Sequence, residues 1–210
     1  MTGIHDLWLF VLSGLLLNIA PGPDSLYVIT RGATQGARAG VVAAFGIGAG
    51  CCVHVVAAAA GLSALLAASA TAFMVVKVLG AAYLVWIGVG MLRARPVGAG
   101  AERPAPRPAQ LRTVFAQGFL TNVLNPKVAL FFLAFVPQFI TPDAPSKPLA
   151  FLVLGAIFDV NGVLWLFVLA FTSAFAGARL QPGAAVARWL NRTMGALFLG
   201  LGVRLALATR

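Results

Sequence analysis

Four charged residues lie inside long apolar stretches of this chain: Asp24, Lys77, Lys127 and Asp159. Such groups are costly in lipid and by default mark a binding or coupling site with a partner to be found. Two of them directly follow a proline in matched interruptions, Asn18-Ile19-Ala20-Pro21-Gly22-Pro23-Asp24 and Asn122-Val123-Leu124-Asn125-Pro126-Lys127. Proline withholds a backbone donor and clashes with the preceding turn, so neither helix is expected to run through unbroken. Broken backbone at membrane depth survives only where it is packed in protein or lines a wet cavity. Breaks at corresponding places in two halves of a chain point to the binding site of a secondary transporter.

Each candidate has a functional and a plain reading. Lys127 opens a half-helix, whose free N–H groups already favour an anion. A substrate carboxylate would satisfy both, and the plain alternative is a structural pair with Asp159 or another acid. Asp24 also opens a half-helix, either as an ordinary N-cap or as a gating or proton-carrying group. Asp159, about ten residues into its segment, stands roughly 15 Å deep at 1.5 Å per residue, near the midplane. There it either binds an amine or a proton, or forms a buried pair with Asn161. Asn18, Asn122 and Asn125 flank the breaks, where they could ligate substrate or satisfy the freed carbonyls. On upright helices Asp24 and Lys127 would differ in height by on the order of 15 Å, which makes them twin sites rather than an ion pair. Lys77 lies near a segment end and can snorkel to the interface. His54 reads as a satisfied core histidine.

These residues need a membrane bundle to hold them. Of 210 residues, 60% are hydrophobic and 10% charged, against about 25% charged in soluble domains. Requiring about 20 apolar residues per crossing gives six spans: 7–29, interrupted at Pro21–Pro23; 39–66; 71–92; 114–140, interrupted at Asn125–Pro126; 149–174; and 186–207. The expected architecture is therefore an all-α integral membrane protein, a single transmembrane domain over 1–210. Met1-Thr2-Gly3-Ile4-His5-Asp6 carries no basic segment, so no cleaved signal peptide is expected. A Pro- and Arg-rich linker, 93–113, divides the chain into three-helix repeats, 1–92 and 114–210.

The net charge of +10 comes from short loops and forms no extended basic face, which excludes nucleic acid as a partner. Arg31, Arg38, Arg93, Arg95, Arg103, Arg107, Arg112, Arg179, Arg188 and Arg192 fall on one side, against Lys147, Arg204 and Arg210 on the other. The first side is expected to be cytoplasmic, with both termini outside. The two halves then have inverted topologies. Lys77-Val78-Leu79-Gly80-Ala81-Ala82-Tyr83-Leu84 and Arg192-Thr193-Met194-Gly195-Ala196-Leu197-Phe198-Leu199 share a base three residues before a Gly and an aromatic three after it. With the paired breaks, this gives a 3+3 inverted repeat.

Gly32, Gly36, Gly40, Gly46, Gly48 and Gly50 let neighbouring helices approach closely. Their GxGxG run follows no strand and is no dinucleotide site, so no cofactor is expected. No hydrolytic constellation is present either.

Taken together, these motifs resemble the LysE/RhtB family of bacterial amino-acid exporters along essentially the whole chain. The resemblance rests on Pro21-Gly22-Pro23-Asp24 before a Gly-rich segment, Lys77-x-x-Gly80-Ala81-x-Tyr83-Leu84 with Gly88, Asn125-Pro126-Lys127 before Phe131-Phe132, and Gly195-x-x-x-x-Gly200-x-Gly202. It implies six helices in the cytoplasmic membrane and amino-acid export driven by the proton motive force in an antiport-like cycle. The implied partners are an amino acid, protons and lipid, with a homo-oligomer left open. In that reading Lys127 holds the substrate carboxylate, Asp159 its amine or a proton, and Asp24 responds to cytoplasmic substrate or protons. Two alternatives remain. A thiol-redox carrier would need cysteines on different helices, whereas Cys51 and Cys52 are neighbours. A metal-ion exporter would need clustered His, Cys or carboxylate ligands.

Overall fold

The computed structural model describes residues 3–62 and 109–176, with scattered helical positions between 74 and 93 and between 192 and 203. The Lys77–Leu84 and Arg192–Leu199 likeness, most of the third and sixth expected spans and most of the linker lie outside the described residues. Among the described residues there are six α-helices and no strand: α1 (Leu7–Ile19), α2 (Pro23–Gln35), α3 (Ala37–Ala57), α4 (Leu111–Val123), α5 (Pro126–Leu130) and α6 (Lys147–Ala176). A π-turn, Ala58–Leu62, extends α3. Another, Phe131–Phe135, follows α5 and leads into a 3-10 turn, Val136–Phe139. Pro137 has no N–H to give and crowds the carbonyl four residues before it, so the α ladder cannot continue through it.

The α3 segment and α6 are each long and apolar enough to cross a membrane. α1 meets α2 at 55°, and α4 meets the run from Pro126 to Phe139 at 44°. Counting each bent pair as one span gives up to four among the described residues.

One boundary differs from the hydropathy reading, which ends the first span at Ile29 and leaves Arg31 in a loop. The helix instead continues to Gln35, and Gly36, at φ +82°, turns the chain directly into α3. Glycine adopts that conformation without a Cβ penalty. Arg31 is consequently only 7% exposed and ties α2 to α4. Its Nη2 donates to Gln117 Oε1 at 2.7 Å, Nη1 to Gln35 Oε1 at 2.8 Å and Nε to the Tyr27 hydroxyl at 3.3 Å. Gln117→Leu removes the acceptor that Arg31 shares with Tyr27. Hydrogen bonds to charged groups contribute about 1.5–3 kcal/mol, so the purified variant should unfold at a clearly lower temperature. An unchanged midpoint would show that the cluster holds nothing together.

The core has two parts. One is aromatic, with Phe10, Phe131, Phe132, Phe135, Phe139, Phe151 and Phe158 all buried. Phe131 stacks on Phe158 at 4.4 Å, and Phe10 meets Phe139 edge-on at 5.2 Å. This cluster fixes the π-turn after α5 against α1 and α6. The other part, around Val28, Ala43, Ile47, Val114, Leu166 and Ala170, joins α2, α3, α4 and α6. At one end the N-terminal segment pairs with the chain beyond the 3-10 turn: His5 N donates to the Phe139 carbonyl at 3.1 Å and Thr141 N to the Gly3 carbonyl at 2.8 Å.

Candidate functional site

A cavity of about 30 Å³ lies between the two core clusters, where the bends of both helix pairs meet. Its polar lining comes from Asn18, Asp24, Asn122, Asn125, Lys127 and Asp159. Its apolar wall is Ile47, Val128, Phe158, Val163 and Leu166. That is room for about two water molecules, below the ~300–1,000 Å³ of pockets that hold small molecules.

The two interruptions interlock across this cavity. Asp24 is the second residue of α2, and its N-cap is Gly22 with no side-chain cap. The Asp24 carboxylate reaches the other interruption instead: Oδ2 accepts from Asn122 Nδ2 and from Asn125 Nδ2, both at 2.9 Å. Asn125 completes its own amide by accepting the Lys127 N–H at Oδ1, 3.0 Å, which caps α5. Lys127 runs the opposite way and donates from Nζ to the Ala20 carbonyl at 3.1 Å. That carbonyl lies just past the end of α1, where a helix presents its negative pole. Gly22 lies beside the ammonium, and a Cβ there would stand in van der Waals contact with Nζ at 3.4 Å. The partner of Lys127 is thus a freed carbonyl, not Asp159.

This geometry corrects the estimate of two separate heights. Asp24 and Lys127 line one cavity, although no salt bridge within 4 Å joins them among the described residues. The error came from treating the helices as upright and straight. Bends of 55° and 44° bring the two prolines' neighbourhoods to a common level.

Asp159 faces the same cavity from α6 and accepts from the Cys52 thiol at 3.6 Å. Asn161 is not its partner and does not line the cavity. Asn18 donates from Nδ2 to the Phe158 carbonyl at 3.3 Å and lies against Gly162, where a Cβ would come within 3.2 Å of its amide. Pro21, Pro23 and Pro126 are exposed and stand outside the lining, whereas Gly22 is part of it. His54 is hydrogen-bonded to the Asn122 carbonyl at 3.0 Å and stacks on Phe132. It therefore braces the residue that holds Asp24. Ser25, Cys51 and the apolar wall residues also line the cavity. Their positions carry no sequence signal, because each is an ordinary apolar or small residue in an apolar run. Among the described residues no group of three His, Cys, Asp or Glu could hold a metal ion.

Comparison with known proteins agrees with this picture. Residues 15–209 match the model of the LysE type translocator family. An uncharacterized membrane protein of Pseudomonas aeruginosa is 38% identical over 99% of this chain and 97% of its own length. A leucine efflux protein of Enterobacter sp. strain 638 is 31% identical over 97% of this chain and 96% of its own. The leucine efflux protein of Salmonella typhimurium is 28% identical over the same shares. No solved structure matches the chain. A match over nearly the whole length, on a bundle of apolar helices, shows that this chain belongs to the LysE-type translocator family: it is a multi-pass bacterial membrane transporter and not an enzyme.

Proposed function

We propose that the chain exports neutral, aliphatic amino acids across the cytoplasmic membrane by alternating access, driven by the proton motive force. The observation that carries this reading is the interlock of the two interruptions, with Asp24 held by Asn122 and Asn125 and Lys127 reaching back to Ala20. An acid, an ammonium and an apolar wall around one cavity suit a zwitterion with a hydrocarbon side chain. Lys127 takes the carboxylate by exchanging its bond to Ala20. The amine goes to the acidic side of the cavity, where Asp24 and Asp159 stand, and Asn18 and Asn125 hold the surrounding backbone. The apolar wall of Ile47, Val128, Phe158, Val163 and Leu166 favours side chains such as that of leucine. The leucine efflux relatives agree with that choice.

In this reading the two bent pairs are broken first and fourth spans of a 3+3 inverted repeat, 1–92 and 114–210. The 93–113 linker is cytoplasmic and both termini are outside. The small cavity represents an occluded arrangement, which opens to either side as the bent pairs rock against α3 and α6.

The test is efflux from cells overproducing the chain and fed dipeptides that are hydrolysed inside, with amino acids on both sides followed by mass spectrometry. Leucine and its aliphatic relatives should appear outside faster than from cells without the protein. No difference for any amino acid would end this reading. The thiols are expected to be dispensable. Cys51 is buried and Cys52 only donates to Asp159, a role that serine can fill. Cys51→Ser/Cys52→Ser should therefore still export, because a serine hydroxyl can donate to the same carboxylate. Complete loss with the protein still in the membrane would favour a redox carrier instead.

A further inference from the structure

We propose that Asp24 Oδ1 and Asn122 Oδ1 form an ammonium site, which takes the protonated amine of the substrate and which a proton on Asp24 closes. The identity of the ligand rests on the exporter reading; the site itself rests on the hydrogen bonds. A carboxylate only accepts, so Asn122 must turn its Nδ2 toward Asp24, and its Oδ1 then faces away. Asn125 is fixed from both ends, with its Nδ2 on Asp24 and its Oδ1 on the Lys127 N–H. Both asparagines spend their donors on the same oxygen, Oδ2. Asp24 Oδ1 and Asn122 Oδ1 are buried with no hydrogen-bond partner, and Asn122 is only 3% exposed. Burying an acceptor without a donor is unfavourable, so both oxygens call for a group that brings hydrogen atoms.

The available space and the neighbouring charges choose that group. Both oxygens are closed off in this arrangement, so an –NH3+ head, about the size of a water molecule, reaches them from the adjoining cavity once the lining shifts. An ammonium has three N–H donors, and Asp159 offers a third acceptor on the same cavity. Among the described residues no group of three His, Cys, Asp or Glu could hold a metal ion instead.

The charged and titratable groups around the site are few. Lys127 comes from α5, Asp159 from α6, and Cys51 and His54 from α3, His54 acting through the Asn122 carbonyl. α1 and α4 contribute only amides and carbonyls. Asp24 is therefore the acid that the two paired interruptions share. A proton on Oδ1 turns that acceptor into a donor and cancels its charge, so proton and ammonium exclude one another. That exclusion is the condition for exchange of substrate against protons at a single carboxylate.

The experiment measures the unfolding midpoint of the purified full-length chain in detergent against four probes across pH. The probes are L-leucine, leucinol (amine without carboxylate), 4-methylpentanoate (carboxylate without amine), and ammonium chloride against sodium chloride at equal ionic strength. Leucine and leucinol should raise the midpoint through Asp24, whereas any effect of 4-methylpentanoate, whose carboxylate goes to Lys127, should be unchanged in Asp24→Asn. On the acid limb the half-saturating leucinol concentration should rise about tenfold per pH unit, the slope for one proton excluding one ligand. Asp24→Asn should weaken leucinol at least tenfold and flatten that slope. Asn122→Ala, which keeps the carboxylate, should weaken leucinol and keep the slope.

Unchanged leucinol binding in Asp24→Asn would overturn the site. So would ammonium chloride reproducing the leucinol effect at the same concentration, because the ligand would then be a free cation. Asp24-dependent leucinol binding without any leucine binding would keep the ammonium site and remove the amino-acid reading. Leucine binding insensitive to both variants would keep the amino-acid reading and remove the site.

Discussion

Gly46→Leu is expected to prevent the bundle from assembling, giving little or no monodisperse protein. α3 and α4 cross with their backbones in contact. A Cβ at Gly46 would strike the Phe115 carbonyl oxygen and stand 3.1 Å from both the Phe115 carbonyl carbon and the Phe119 nitrogen. One turn on, a Cβ at Gly50 would lie 2.6 Å from the Phe119 oxygen, and from the other side one at Gly118 would lie 2.7 Å from the Ala43 oxygen. The obstacles are backbone atoms, which cannot rotate away as a side chain could. Overpacking costs typically about 1–3 kcal/mol and occasionally more, and a leucine wedged between two backbones belongs at or beyond the top of that range. The damage would extend to the site, because Gly50 lies against the Asn122 Cβ. Gly61→Leu is the matched control, with nothing among the described residues within 4 Å of its Cβ. Size-exclusion profiles and unfolding midpoints of the two variants check the claim. A Gly46→Leu protein as stable as Gly61→Leu would mean that the α3–α4 crossing is not as close as described.

Lys127→Met is expected to cut export sharply while leaving insertion intact. Methionine keeps the aliphatic stem that passes Gly22 and removes the ammonium that reaches the Ala20 carbonyl. A hydrogen bond between an ammonium and its partner, here the substrate carboxylate, contributes about 1.5–3 kcal/mol. Each 1.4 kcal/mol is a factor of ten, so export should fall about ten- to a hundredfold. Membrane content by immunoblot separates this from a folding defect. Lys127→Arg is informative beside it. The guanidinium keeps the charge but replaces a compact ammonium by a planar fork with different hydrogen-bond directions, so it should restore the rate only in part.

Much of the architecture could be read from composition and spacing, and particular residues show why. The helical membrane character followed from the apolar runs that became α3 and α6. The family followed from the Pro-Gly-Pro-Asp and Asn-Pro-Lys motifs with their glycine context. Arg31 was harder, since a basic residue just past an apolar run reads as a loop charge. It lies inside α2 because the helix runs on to Gln35 and stops only at Gly36, where φ turns positive. The meeting of Asp24 with Asn122 and Asn125 was illegible for another reason. Depth counted along a straight axis cannot anticipate two bends that bring residues 98 and 101 positions apart into hydrogen-bond contact. The plain partners that chemistry suggested, Asn161 for Asp159 and an acid for Lys127, were likewise replaced by a thiol and a carbonyl. A broken helix offers free carbonyls that no residue type announces.

The most direct test of the central claim is leucine release from vesicles containing the purified chain. They would be loaded with labelled L-leucine and given an inward proton gradient, alongside vesicles bearing Lys127→Met at the same density. The account predicts gradient-dependent release through the unaltered chain and only background leakage through the variant. Equal release from both would contradict it, because transport would then not pass through the cavity where the two interruptions meet.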